Sequence, residues 1–295
     1  MKKHYFILII GLFIISGCVT GPSNEIVPNS KPLTINWDVF PKGEIDPEQG
    51  INAGLKMEYL GPDIRGEVIL FDTASPQVGG IDSAYGGFGP EDFSLNERGI
   101  MEASIKPLGN LAIVYNQISG VETVNLNAIV RIVKQEEAVM SQNKFCIPES
   151  FLQADPNCPI GQAITRGFPE SSSISNVKID LSSFSSTGNG RIDVEFMIKE
   201  PCNIVSSESF GSKDIDVKKE FDEDDISVFL SQGGNELTCQ VNSDKSNPEK
   251  QKIIKCQGDV FSTGYQEGLR VNMNYGCEYK LDPYTVKFRK KEGVS

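Results

Sequence analysis

Seven cysteines hold most of the readable chemistry in this 295-residue chain. Cys18 closes the run Ile15-Ser16-Gly17-Cys18, behind a stretch from Phe6 to Ile15 that is apolar except for Gly11. The other six are Cys146, Cys158, Cys202, Cys239, Cys256 and Cys277. None has C-x-x-C spacing, so the signatures of zinc ribbons and thioredoxin-like redox sites are absent. An even set in an exported chain reads as disulfides, and six cysteines allow 15 pairings. The sole histidine is His4. Past residue 17 the chain therefore has no imidazole for zinc, for Ser-His-Asp or Cys-His catalysis, or for pH switching. Paired carboxylates, as in many glycosidases, survive that exclusion. Their partners come from distant parts of a fold, and spacing marks no pair among 40 acidic residues. No catalytic residue, metal site or cofactor is expected.

Two further stretches could do chemistry. Gln77 to Phe93, QVGGIDSAYGGFGPEDF, carries five glycines with Tyr85 and Phe88. It lacks the lysine of a P-loop and the strand–glycine–helix context of a dinucleotide site. It reads either as a contact loop anchored by Tyr85 and Phe88, or as a long connection whose glycines take positive φ; the second is the simpler reading. Glu220, Asp222, Glu223, Asp224 and Asp225 form a dense acidic patch. Without EF-hand spacing and its glycine, this reads as a solvated turn before a strand that begins at Ile226.

The elements that must position these residues are strands. Leu33, Ile35, Trp37 and Val39 alternate with polar residues, as do Ile51 to Tyr59 and Val124 to Ile132. Val68 to Asp72 and Leu111 to Tyr115 are short β-rich runs, and Gly, Pro, Asn and Asp fill the gaps. Period two marks strands with one buried face, and several in about 100 residues predict a β-sandwich. The rhythm breaks over 136–175, where Glu136 to Gln142 is expected to make a helical turn or two. It resumes at Val177, is strong at Ile192 to Ile198, and returns in Ile226–Leu230, Leu237–Val241, Ile254–Cys256 and Leu269–Leu281.

This framework narrows the pairings. Cys146 and Cys158 bracket the loop CIPESFLQADPNC, and a local disulfide between them is expected to restrain it. Cys239, Cys256 and Cys277 share parity with apolar neighbours and should point into a core. Cys239 and Cys256 flank a polar hairpin loop and are paired with each other, which leaves Cys202 for Cys277.

The first eighteen residues have the layout of an export signal: Lys2 and Lys3, an apolar run, then small residues before Cys18. About ten apolar residues are too few for a hydrocarbon core that needs roughly twenty. Ile15 to Cys18 resembles the lipobox of prokaryotic lipoproteins, which implies cleavage before Cys18 and lipid on its sulfur. Leu237-Thr238-Cys239 and Tyr275-Gly276-Cys277 resemble fragments of immunoglobulin-type domains, in which a Tyr stands two before the second cysteine. The chain departs from that family in having no Trp after Trp37, so the sandwich is carried over and the pairing is not. The whole layout is similar to immunoglobulin-like lipoproteins of prokaryotic envelopes, including archaeal ones.

The expected organisation is a signal peptide at 1–17, a lipidated tether at 18–32, a β-sandwich at 33–135, a disulfide-containing linker at 136–175 and a second β-sandwich at 176–292. The fold class is all-β, with two immunoglobulin-like β-sandwich domains in tandem. Without residues 1–17 the chain has 26 basic and 40 acidic side chains, a net charge of -14. That charge disfavours nucleic acid as a partner. The membrane is contacted through the lipid at Cys18, and envelope proteins or glycans are the remaining partners. The expected role is a non-enzymatic binding or structural module, extracytoplasmic and anchored to the cell membrane. The alternatives are a carboxylate-dependent hydrolase of envelope polysaccharide and a solute-capture lipoprotein of a transporter.

Overall fold

The computed structural model describes residues 31–46, 49–60, 64–74, 79–81, 88–95, 100–103, 112–115, 123–140, 144–153, 158, 160–162, 164–168, 172–183, 189–211, 219–231, 235–261 and 264–289. Among these there are eighteen β-strands, two 3-10 turns and no α-helix, so the protein is all-β. In chain order the strands of the first half are β1 (Lys31–Phe40), β2 (Glu44–Ile45), β3 (Asn52–Leu60), β4 (Ile64–Asp72), β5 (Phe88–Leu95), β6 (Ile100–Ala103), β7 (Thr123–Val139) and β8 (Phe145–Ile147). Those of the second are β9 (Ile164–Arg166), β10 (Ile174–Ser183), β11 (Gly190–Lys199), β12 (Asn203–Ser206), β13 (Ile226–Leu230), β14 (Glu236–Ser243), β15 (Gln251–Val260), β16 (Tyr265–Glu267), β17 (Leu269–Lys280) and β18 (Tyr284–Phe288).

Strands β1, β3 and β6 make one sheet, and β8 and β16 pair by themselves. The rest form a long curled sheet in the order β2-β18-β7-β17-β13-β14-β15-β11-β10-β9, with β4 on the other side of β7, β5 beyond β4, and β12 beside β17. Pairing is antiparallel except between β2 and β18. Period-two patterning in the sequence becomes alternate burial. In β11 every second residue from Gly190 to Ile198 is buried, and β17 buries Leu269, Val271, Met273, Tyr275 and Cys277. Each fully buried Val, Ile or Leu contributes about 1.5–3 kcal/mol.

Two long strands run through the whole molecule and serve two cores. One face of β7 gives Val124, Leu126, Ala128, Val130 and Ile132 to the first core, shared with β1, β3 and β4, and Ala138 to the second. Its partner β17 gives Leu269 to Tyr275 to the second core and Cys277 to the first. Between the cores the same face of β7 carries Lys134 and Glu136, so a polar waist interrupts an apolar stripe. The strand passes straight through position 135. The C-terminal strand β18 pairs with Thr123 to Leu126 and adds Val286 and Phe288 to the first core.

Three expectations meet a different local structure. Glu136 to Val139 is strand rather than a helical turn, because β17 offers a continuous ladder from Ile129 to Val139. Residues 141–143 lie outside the described set. Of the expected run Leu111 to Tyr115, Leu111 lies outside the described residues, and the described remainder makes isolated bridges, Ile113 with Ile51 and Tyr115 with Gly79, rather than a strand. The end of the glycine-rich stretch, Phe88 to Phe93, is part of β5, laid along β4, rather than loop.

The opposite face of the waist is closed by charge. Arg131 of β7 stands in register between Glu67 of β4 and Glu278 of β17. Its Nη1 donates to Glu67 Oε1 and its Nε to Glu278 Oε2, both at 3.1 Å. All three side chains are buried. They are covered by the turn Ser207–Ser209 and Gly211: Arg131 Nη1 also donates to the Ser209 carbonyl at 2.7 Å, and the Gly211 N–H donates to Glu67 Oε2 at 2.8 Å.

Candidate functional site

The six cysteines stand as Cys146–Cys158, Cys202–Cys277 and Cys239–Cys256, with Cα separations of 5.4, 5.4 and 4.0 Å. The first closes the loop leading away from β8. The second ties the end of β11 to β17 at the waist. The third joins directly opposed residues of β14 and β15. Three disulfides fit an oxidising, extracytoplasmic environment. Among the described residues no helix is long and apolar enough to cross a membrane.

Beside the waist disulfide lies a network of titratable groups. Lys134 Nζ donates to both oxygens of Glu200, at 2.9 and 2.8 Å. The Tyr275 hydroxyl also donates to Glu200. Glu136 accepts from the Ser172 hydroxyl at 2.6 Å, the Ser173 N–H at 3.0 Å and the Ser173 hydroxyl. Burial, reinforced by Glu200, raises the Tyr275 pKa, and the same causes push Tyr279 up to about 12. Both phenols stay neutral at ordinary pH, and Tyr275 acts as a donor. Two carboxylates thus meet here, but each is held by several donors, as a structural bolt requires. Glu200, Cys202 and Cys277 are the one group of three possible metal ligands among the described residues. Both of its sulfurs are in the disulfide.

The glycine-rich stretch is pinned at its start. Asp72 accepts from the Ile81 N–H at 2.7 Å, the Tyr115 hydroxyl at 2.9 Å and the Ala74 N–H at 2.9 Å. Burial raises the Asp72 pKa while these hydrogen bonds pull it back. Gly80 has φ +92°, and the Tyr115 ring leaves no room for a Cβ there. Tyr85 lies outside the described residues, as does Cys18, and Phe88 starts β5 opposite Leu70. In the acidic patch, Asp225 is buried and accepts from Ser206 Oγ and the Asp222 N–H, which ties it to the capping of the turn before β13.

A broad open surface is the outward face of β10, β11, β15 and β14. Their inward residues fill the second core, so the outward ones stand in rows across the sheet. One row is Asp180, Asp193, Gln257 and Thr238; the next is Lys178, Glu195, Lys255 and Gln240. They line a trough of about 320 Å³. It continues, through Thr238 and Gln257, into a groove of about 510 Å³ edged by Arg191, Asn235 and Phe261. Arg191 donates to Asp193 at 3.1 and 3.2 Å and to the Gln257 amide oxygen. Lys255 pairs with Glu195 at 3.1 Å. Phe261 is 57% exposed, one of three large hydrophobic side chains left in solvent among the described residues. Sequence reading passed over this face because each residue looks like an ordinary solvated strand position until register aligns the rows.

Compared with known proteins, the chain matches no family model, no curated protein and no solved structure.

Proposed function

We propose that the chain is an exported lipoprotein, cleaved before Cys18 and held at the cell membrane by lipid, that works as a non-enzymatic binding module. Its two cores correspond in this reading to two immunoglobulin-like sandwiches that share β7 and β17. The observation that carries the binding role is the outward face of β10, β11, β15 and β14. It is concave, its side chains are aligned and cross-paired, and it ends on an exposed aromatic ring, features of a surface preorganised for a ligand. The three disulfides and the shared long strands support a rigid platform for that face.

A photoreactive amino acid placed at Gln240 of the lipidated protein on intact cells tests the role. Reproducible adducts at Gln240, with none from the same residue at Lys56 on β3, are expected. Equal, scattered labelling from both positions would remove the face as a binding site.

A further inference from the structure

We infer that the trough takes a neutral, hydroxyl-rich chain, a glycan. This rests on the reading of the face as a binding surface and names its ligand class. The first argument is charge. Arg191 neutralises Asp193 and Lys255 neutralises Glu195. The two charges left in these rows, Lys178 and Asp180, have opposite sign. The six sum to zero in the trough, and the groove beyond adds only Glu236 and Asp259, on a chain whose formal net charge is -12. Such a patch exerts no strong field on a polyanion or a polycation. It presents fixed donors and acceptors in pairs.

The second argument is an unmet hydrogen bond. Asp180 and Asp193 are direct cross-strand partners. Like charges so placed are destabilising. Arg191 relieves Asp193, but Asp180 Oδ1 is shielded from solvent and has no hydrogen-bond partner among the described residues. A shielded acceptor without a donor costs stability until a donor arrives. Turning the Asp180 carboxylate so that Oδ1 faces the trough lets a ligand hydroxyl supply one without adding charge. The third argument is shape. The groove runs on from Gln257 to Phe261. An exposed ring at the end of a polar trough offers an apolar surface to the C–H face of a sugar ring while the polar rows take its hydroxyls.

Affinity electrophoresis of the detergent-solubilised full-length protein tests the inference, with dextran, mannan or galactan as neutral probes in the gel and polygalacturonate as the anionic probe. At least one neutral polymer is expected to retard the wild type. Phe261→Ala and Asp180→Ala should each weaken that retardation fivefold or more, while Lys56→Ala leaves it unchanged. Phe261 is exposed, so its variant keeps the fold, and disulfide mass and circular dichroism check the other. The inference is overturned if no neutral polymer retards the protein, or if polygalacturonate retards all variants equally. Protein adducts at Gln240 without any retardation would keep the binding face and remove the glycan; silence in both experiments would remove both.

Discussion

Replacing Arg131 by Met removes the only cation from a buried row of three ionisable side chains. Met keeps much of the aliphatic volume, so the perturbation is mainly electrostatic. Arg131 is fully buried, and its side chain touches Glu67, Glu278 and the Ser209 carbonyl. Without it the buried carboxylates of Glu67 and Glu278, on the two strands that flank β7, lose the Arg131 charge between them, and one carbonyl loses its donor. Breaking a buried pair by removing one partner costs about 3–5 kcal/mol. A domain is stable by only about 5–15 kcal/mol, so this loss takes a large share. The assay is urea unfolding with the disulfides intact, following the single Trp37. The midpoint of Arg131→Met should fall sharply. The triple variant Glu67→Gln/Arg131→Met/Glu278→Gln should recover most of the loss, because no buried charge remains. An Arg131→Met protein within 1 kcal/mol of wild type, at unchanged slope, would refute the view that this row locks Ser207–Gly211 onto the sheet.

Other outcomes follow from the same geometry. Opening Cys202–Cys277 by double Ser substitution should cost about 1.3 kcal/mol more than opening Cys239–Cys256, since the enclosed segments are 75 and 17 residues and loop entropy grows with the logarithm of length; calorimetry of the two variants reads the difference. Gly66→Ala should destabilise by roughly 1–3 kcal/mol, the usual cost of overpacking, because the new Cβ would collide with the Arg131 carbonyl and lie 2.6 Å from the Phe93 ring. Tyr115, Tyr275 and Tyr279 all have folded pKa values raised above 10.0, chiefly by burial. Groups of that kind contribute stability fully present below pH 10.0 and lost as pH rises toward and through their folded values, about 12 for Tyr279. The tyrosinate absorbance of these three should therefore appear late and together with unfolding, and ionisation of all the tyrosines while the protein stays folded would contradict this.

Much of the fold is legible in the sequence because one-sided burial writes itself as alternation. β11 and β17 can be read residue by residue, and the break of the β7 stripe at Lys134 and Glu136 marks where one core ends and the next begins. The partners of those strands leave no local trace. Arg131, Glu67 and Glu278 sit at positions that alternation assigns to solvent, and they are buried only because Ser207–Gly211, distant in the chain, folds over them. Glu136 to Val139 has the composition of a helical turn, yet the ladder offered by β17 outweighs that weak propensity. The outward face of β10, β11, β15 and β14 shares the difficulty: Asp180 and Asp193 are ordinary strand residues until register sets them opposite each other.

The proposed binding role rests on an exported, lipid-held and disulfide-closed state. Intact mass spectrometry of the protein extracted from membranes under non-reducing conditions measures all three properties at once. A chain that begins at Cys18, carries acyl mass on its N-terminal residue and lacks the six hydrogens of three closed disulfides is the predicted result. A chain that still begins at Met1, without lipid and with free thiols, would contradict the account.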